Sequence, residues 1–482
     1  MKYIFIFLSA IFYLKSFAQA PSKFYQRFGG NGYDVGYDVK QTLDSGYIIT
    51  GSTSSIGAGN TDMYLAKLDK MGQIKFQKTF GNYSNETGKS VIQLIDSSYV
   101  ILGYTNSSGF GGYDIYLVKA DKTGTLLWQK NFGGVDWDFG NSLKQTTDGG
   151  FIIAGSTNSY GRGNADAYVI KTDALGNVMW SKTFGGANDD EFKSVIQTSD
   201  GGYALTGYTK SYLDPTFGDL WAFKLNASGD STWCKFYGGA KEDIGHCILE
   251  HPNGDFFISG AKQSIATNLS EGYALRLNNI GNLVFQVLDG NLINNQVFYS
   301  ITVSKRSNNI VTVIEKEFFA GYKLQFKIME LNLSLNYLNA TDYGSIDDDE
   351  VFTVISTYDK GYACVGYTTG YNAILTDVFL VKIDSMLIGG NFSIVGFSEF
   401  EKNDANIDFF PNPVSHNLLL NVKNNFSNFS LSFYDSFGNE IDISEKIINI
   451  SNTQFKLDVT GFSNGFYYLK IGNCSKKIII IH

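Results

Sequence analysis

The chain has 482 residues and a formal net charge of −9, with 52 glycines, 38 phenylalanines, 30 tyrosines and only five prolines. That acidity excludes the basic stripe expected of a nucleic-acid binder, and the glycine and aromatic content fits a large soluble β protein. Four cysteines do not make a disulfide framework. Residues 1–20 open with Lys2, continue through an apolar run over residues 3–14 and reach Ala18-Gln19-Ala20. A basic start, an apolar core and a small-residue cleavage site read as a secretory signal peptide. The run is too short to span a bilayer comfortably, and no other segment approaches spanning length. The mature chain is therefore expected to be a soluble monomer without a transmembrane segment.

Residues 145–186 state a unit that the chain repeats with drift. Asp148-Gly149-Gly150 enters the run Phe151-Ile152-Ile153-Ala154-Gly155, and Asp-Gly between apolar runs signals a hairpin whose turn needs positive φ. Residues 165–171 alternate apolar and polar, turn at Ala174-Leu175-Gly176-Asn177, and alternate again to Phe184. Ser142-Leu143-Lys144-Gln145 supplies a first short strand, making four antiparallel strands per unit. The glycine closing the second strand recurs as Gly51, Gly103, Gly155, Gly207, Gly260 and Gly366, in steps of about 52 residues with one double step. The third-strand cation recurs as Lys67, Lys119, Lys171, Lys224, Arg276, Lys327 and Lys382, which sets the number of units at seven.

A four-stranded sheet of this size cannot bury both faces alone, and radial stacking of such sheets is the β-propeller. Unit seven stops after Val381-Lys382-Ile383-Asp384, while Phe24-Tyr25-Gln26-Arg27-Phe28-Gly29-Gly30 resembles the fourth strand of unit one. An N-terminal strand completing the last blade would close the ring and remove its edges. The expected fold is all-β: a seven-bladed propeller over residues 21–385, a linker over 386–405, and a small β-sandwich over 406–482.

That last segment carries Pro411-Asn412-Pro413, then Asp458-Val459-Thr460-Gly461 running on to Gly465-Phe466-Tyr467-Tyr468-Leu469, then Lys476-Lys477-Ile478. In these motifs it resembles the type A C-terminal sorting domain of the type IX (Por) secretion system of Bacteroidota. The resemblance implies the type IX machinery as partner, passage across the outer membrane, and a product released or held at the cell surface. Pro411, Asn412, Pro413, Gly461, Gly465, Tyr468, Lys476 and Lys477 are the sorting-motif residues it implies.

Candidate chemistry is sparse. Asp62, Asp114, Asp166, Asp219, Asp377 and Glu271 open the third strands, and a residue found in blade after blade reads as scaffold that satisfies backbone groups. The third-strand cation reads likewise as a snorkelling structural group. A second acidic set, with Asp34, Glu86, Asp136, Asp138, Asp189, Asp190, Glu191, Glu242, Asp243 and residues 347–350, falls between units and reads as a solvated rim that could offer oxygens to Ca²⁺. His246 and His251 lack companions at metal-ligand spacing and read as surface or turn residues. Cys234 and Cys247 fall on strands at opposite radial ends of their blades, Cys364 reads as core filler, and Cys474 stands alone. The phrase Asp173-Ala174-Leu175-Gly176-Asn177-Val178-Met179-Trp180 resembles repeats of quinoprotein propellers, though the same phrase serves any blade as a tight turn before an aromatic strand.

These residues name no catalytic or cofactor site. The leading expectation is a secreted, non-catalytic binding or scaffolding module with a glycan or protein ligand. The alternative is an enzyme, either a quinoprotein-like oxidoreductase or a glycan hydrolase or lyase. Polar residues that occur only once at the ring centre would favour the enzyme, and a uniform ring the binder.

Overall fold

The computed structural model describes residues 23–482 apart from 214–215, 291–294, 317–324, 345–346, 372, 388–392, 395–406, 411–414, 423–430, 435–439, 445, 452–453, 463–464, 472–473 and 481–482. Blade three shows how the repeat folds. Its strands are Asp138–Gln145, Phe151–Thr157, Asp166–Thr172 and Val178–Phe184, paired antiparallel in that order. Every residue of the second and third strands is buried. The two-residue period of a strand explains how. Phe151 and Ile153 point into one interface, against Val100, Leu102 and Leu117 of blade two. Ile152 and Ala154 point the other way, against Phe192, Tyr203 and Leu205 of blade four. Each blade thus needs a neighbour on both faces.

The same four-stranded sheet recurs over residues 34–80, 86–132, 190–237, 243–289 and 296–343. Unit six, whose pattern is degenerate in sequence, keeps its strands and buries Val311, Val313, Phe326 and Ile328. First strands touch in sequence around a closed ring, Asp349–Ser356 returning to Asp34–Gln41. Blade seven takes its fourth strand from the other end of the chain. Phe24–Phe28 pairs antiparallel with the third strand, Phe24 opposite Lys382 and Phe28 opposite Val378. Phe24 and Phe28 are buried against Val39, Tyr47 and Tyr64 of blade one. The Arg27 guanidinium meets the Asp377 carboxylate. Closure is thus hydrophobic, hydrogen-bonded and ionic together.

In each hairpin between the first and second strands, one residue takes the left-handed conformation. It is Gly149 at φ 83° in blade three, but Ser45, Ser97 and Lys360 hold the same place at φ 65–67° in other blades. The segment expected to be a linker is not wholly one. Leu387 is buried, the Met386 carbonyl accepts from Asn339 Nδ2, and Ser393–Ile394 adds parallel to the N-terminal strand. An apolar residue that close to the open edge of blades six and seven finds more burial there than in solvent.

The C-terminal unit has two four-stranded sheets. One orders Ile407–Phe410, Asn417–Val422, Gln454–Asp458 and Ile447–Ser451; the other orders Glu440–Ile441, Leu431–Tyr434, Gly465–Ile471 and Cys474–Ile480. Leu418, Leu420 and Leu457 from the first pack with Phe433, Tyr467, Leu469 and Ile480 from the second. That shared core makes the unit a β-sandwich.

Phe24→Ala should lower stability by about 3 to 5 kcal/mol, the cost of emptying a buried phenylalanine site. Thermal or denaturant unfolding reads it. A loss below about 1 kcal/mol would show that this strand does not hold the ring closed.

Candidate functional site

The first strand of each blade lines the propeller axis, and each carries one extra residue. The ladder between first and second strands slips at Tyr37, Lys89, Asn141, Lys193, His246, Tyr299 and Phe352. A β-bulge leaves its extra residue unpaired and re-aims the side chain. The amide two residues further on finds its partner in the preceding blade. Val91 N donates to Asp38 Oδ2 at 3.0 Å, Val195 N to Ser142 Oγ at 3.1 Å, Ile248 N to Ser194 Oγ at 3.3 Å and Val354 N to Ser300 Oγ at 3.2 Å. Neighbouring blades are therefore stitched at the point where each bulge turns a side chain toward the axis.

The seven bulge residues form a girdle, half-buried, one per blade. Ring centroids step round it at 5.2 Å from His246 to Tyr299, 5.5 Å from Tyr299 to Phe352 and 5.2 Å from Phe352 to Tyr37. Lys89 Nζ sits 3.5 Å from the centroid of the Tyr37 ring. Beyond it, Asn141 Nδ2 donates to Glu191 Oε1 at 2.7 Å and to the Phe192 carbonyl at 3.0 Å. Lys193 pairs with Glu191 at 2.8 Å. One arc is aromatic and the other polar.

Burial works on the charges of this girdle. It pulls the Lys89 ammonium down to about 8, with Lys193 pushing the same way and Glu191 opposing. It pulls His246 down to about 3, again helped by Lys193, so the imidazole is neutral at physiological pH. Beside the aromatic arc, burial raises Glu350 against hydrogen bonds with Tyr367, Tyr299 and Glu315. Two carboxyl groups in hydrogen-bond contact share a proton more readily than they share two charges.

Of the acids between units, Asp136 and Glu242 are exposed, but the six that open the first strands are not a solvated rim. Asp34, Glu86, Asp138, Asp190, Asp243 and Asp349 begin the first strands and are at most 2% exposed. A cage of donors surrounds one carboxylate oxygen, while Asp138 Oδ1 and Asp243 Oδ1 are buried without a hydrogen bond among the described residues. Asp138 Oδ2 accepts from Gly134 N at 2.8 Å and Ser159 Oγ at 2.7 Å. Asp190 Oδ2 accepts from Gly186 N at 2.9 Å and Ser211 Oγ at 2.5 Å, while Thr209 donates to Oδ1. The Thr-x-Ser that ends the second strand of blades one to four was the sequence signal for this cage. The third-strand acids do satisfy backbone groups as expected: Asp114 accepts from Phe110 N at 2.8 Å and Asp166 from Arg162 N at 2.8 Å.

The two acid sets meet across each blade boundary. A Cβ on Gly133 would lie 2.4 Å from Asp114 Oδ1 and 2.4 Å from Asp138 Oδ2, which is why the chain needs glycine there. Burial raises Asp114, with Asp138 adding to it. Burial also raises Asp243 to about 6, Asp219 contributing and Gly239 N–H and Lys262 opposing. At the two boundaries of blade six an amide replaces one acid, Gln296 where Glu271 is the partner position and Gln325 beside Asp349. At the closing boundary Arg27 intervenes instead.

The third-strand cations lie at the opposite end of the blades. Lys171 donates to the Thr172 carbonyl at 2.8 Å and pairs with Asp148 at 2.8 Å; Lys67 with Asp44 and Lys382 with Asp359 repeat the arrangement. They pin the first hairpin, a structural role as expected. The histidines divide. His251 opens the hairpin turn after the first strand, as a turn residue was expected to, but is buried, its ring bonded to Asn253 Oδ1 and the Asn308 carbonyl, whereas His246 departs from expectation and belongs to the girdle. Cys234, Cys247 and Cys364 are free thiols, Cys364 fully buried. Among the described residues, no group of three His, Cys, Asp or Glu side chains is placed to hold a metal ion.

Of the implied sorting residues, Pro411, Asn412 and Pro413 lie outside the described residues. Gly461 sits exposed in the turn after Gln454–Asp458, and Gly465 begins the next strand. Tyr468 stands opposite Lys477, and Leu469 opposite Lys476, in the final hairpin.

Comparison with known proteins adds to this geometry. Residues 408–481 match the family described as a secretion system C-terminal sorting domain. A stretch of 202 residues is 30% identical to the regulatory protein FlaEY of Caulobacter vibrioides, covering 36% of this chain and 21% of that protein. The chain thus spans well under two thirds of that relative's length. The WD40 domain of Neurospora crassa Pan2 is similar over 75% of this chain and 96% of that one, at 10% identity and a TM-score of 0.46. The Dos1 propeller is similar over 78% and 97%, at 14% identity and 0.41. Puromycin hydrolase is similar over 84% and 61%, at 8% identity and 0.47. The chain carries a type IX sorting domain behind a repeat propeller, and it is exported by that system to be secreted or held at the cell surface. Among the described residues no helix is long and apolar enough to cross a membrane.

A titration should expose the boundary acids. Asp243 is raised from 3.8 to about 6, so the folded state binds that proton more tightly than the unfolded chain. Its stabilising contribution is complete below about pH 4 and is lost as pH rises through about 6. The depressed Asp148 and Asp200, near 2, act only below that window. Asp243→Asn should flatten the fall of the thermal midpoint between pH 4 and 6. An unchanged slope would remove Asp243 as its cause.

Proposed function

We propose that the protein, delivered behind an N-terminal signal peptide over residues 1–20, acts outside the cell as a non-catalytic binding module whose ligand docks at the mouth of the propeller axis. One observation carries this: the bulge residues differ from blade to blade while the blade cores around them repeat. A scaffold needs no such variation. Single-occurrence side chains converging on one concavity are the usual signature of a specific site. The face around it adds contact area, with Tyr33, Tyr83, Trp137 and Tyr212 all at least half exposed. Glycans and proteins both suit aromatic surfaces of this kind.

The alternative, a propeller enzyme, draws on the same variation together with the raised Glu350 and the lowered Lys89, since groups displaced in opposite senses serve acid–base chemistry. Against glycoside hydrolysis stands the contact between Glu315 and Glu350, because that chemistry needs two carboxyl groups roughly 5 to 10 Å apart. The Asp-Ala-Leu-Gly-Asn phrase that resembles quinoprotein repeats forms the hairpin between third and fourth strands, where Asp173 accepts from Leu175 N and Asn177 N. Architecture accounts for it.

Two outcomes are expected. Removal of residues 406–482 should leave the propeller behind the outer membrane, read by fractionation; normal surface delivery would contradict the sorting assignment. A glycan panel should contain a member that raises the thermal midpoint, by roughly 2.7 kcal/mol of stabilisation at a hundredfold excess over Kd, without being turned over. Turnover of that glycan would move the protein to the enzymes.

A further inference from the structure

The girdle's charges do not cancel. Lys193 is matched by Glu191 at 2.8 Å, and Lys40, on the first strand of blade one, by Asp38 at 2.5 Å. Lys89 is different: its ammonium lies over the face of Tyr37, and among the described residues no carboxylate forms an ion pair with it, Glu191 acting on it only from further away. Lys144, on the axial side of blade three, likewise makes no ion pair, with Lys40, Asp38 and Cys247 the charged or titratable groups around it. Two half-buried amines without contacting counter-ions are unusual in a chain of net charge −9. Holding a cation away from water without a partner costs several kcal/mol unless something supplies the opposite charge. A cation–π contact returns only a part of that.

The surroundings of Lys89 define the shape of what could supply it. On one side runs the aromatic arc Tyr37, Phe352 and Tyr299, closed by the neutral His246 ring. On the other, Asn141 and Glu191 present an amide and a carboxylate. Aromatic faces beside paired donors and acceptors suit the C–H face and hydroxyls of a sugar ring, and the bare amine suits one carboxylate on that ring.

We propose that the axial girdle is a binding site for an acidic saccharide, a uronic acid or a chain of them, with Lys89 as the carboxylate partner and the Tyr37–Phe352–Tyr299 arc as the stacking surface. This rests on the axis mouth being the docking place, and it narrows the ligand to one charge class. Lys144 strengthens the same positive field further along the axis, so a longer uronate chain gains more than a single residue does.

The test is calorimetric titration of the purified protein with glucuronate, an oligogalacturonate, glucose and sulfate, repeated on Lys89→Met, Lys89→Arg and Tyr299→Ala, each first checked for an unchanged thermal midpoint. Expected are binding of the uronates over glucose, the oligomer tighter than the monomer, and loss of about tenfold or more in Lys89→Met, the scale of one charged hydrogen bond. Lys89→Arg should restore most of it. Glucose binding as well as glucuronate, with the binding lost in Tyr299→Ala, would overturn the charge assignment and leave the axis as the docking place. Uronate binding indifferent to both Lys89 and Tyr299 would overturn both. Sulfate binding as tightly as glucuronate, or no binding by either uronate, would overturn the saccharide assignment.

Discussion

One extra residue in the innermost strand of every blade is the constraint on which the axis of this propeller depends. In an unbroken ladder, side chains alternate strictly between the two blade interfaces and leave none free to be chosen for the axis. The bulge breaks that alternation once per blade. It frees Tyr37, Lys89, Asn141, Lys193, His246, Tyr299 and Phe352 from the blade interfaces, and at four boundaries the amide two residues further on ties the blade to the one before. Blade cohesion and axial display come from the same backbone irregularity. The girdle can therefore vary while the stitching stays.

The outer structure works by the opposite logic, repeating what must be repeated. Second and third strands bury every residue in blades one and three because each side faces a neighbour. The boundary acids are held by Thr-x-Ser hydroxyls and glycine amides, so carboxylates become rigid corners between blades. Where blade six departs from the repeat, the change is chemically coherent. Gln325 beside Asp349 puts an uncharged amide where other boundaries bring two acids together, which removes one buried charge.

Much of this was legible from the residues. The glycine and lysine periods, the truncated seventh unit and the stray N-terminal strand together define a closed ring, and each concerns a local or repeated signal. What was not legible depended on register. The first strand was expected to begin at Ser142, with Asp138 in the connection between units. In the structure the strand begins at Asp138, and Asn141 is the bulge. No single strand's pattern reveals that an extra residue is present, since the slip exists only relative to its partner. The acids therefore read as a rim rather than as buried corners, and His246 as surface rather than girdle. The start of the supposed linker was misplaced for a related reason, because the burial of Leu387 depends on an edge the sequence does not display.

Reactivity of the lysines tests the girdle most directly. Lys89, drawn down to about 8 and lining the axis, should be acylated at pH 8 ahead of ordinary surface lysines, and bound ligand should protect it. Lys171, buried and paired with Asp148, should stay unmodified under the same conditions and serve as the internal control. Mass spectrometry of the labelled protein reads both sites and the surface lysines at once. A Lys89 as silent as Lys171, or one labelled equally with and without a ligand known to bind, would show that the bulge residues do not form the docking site.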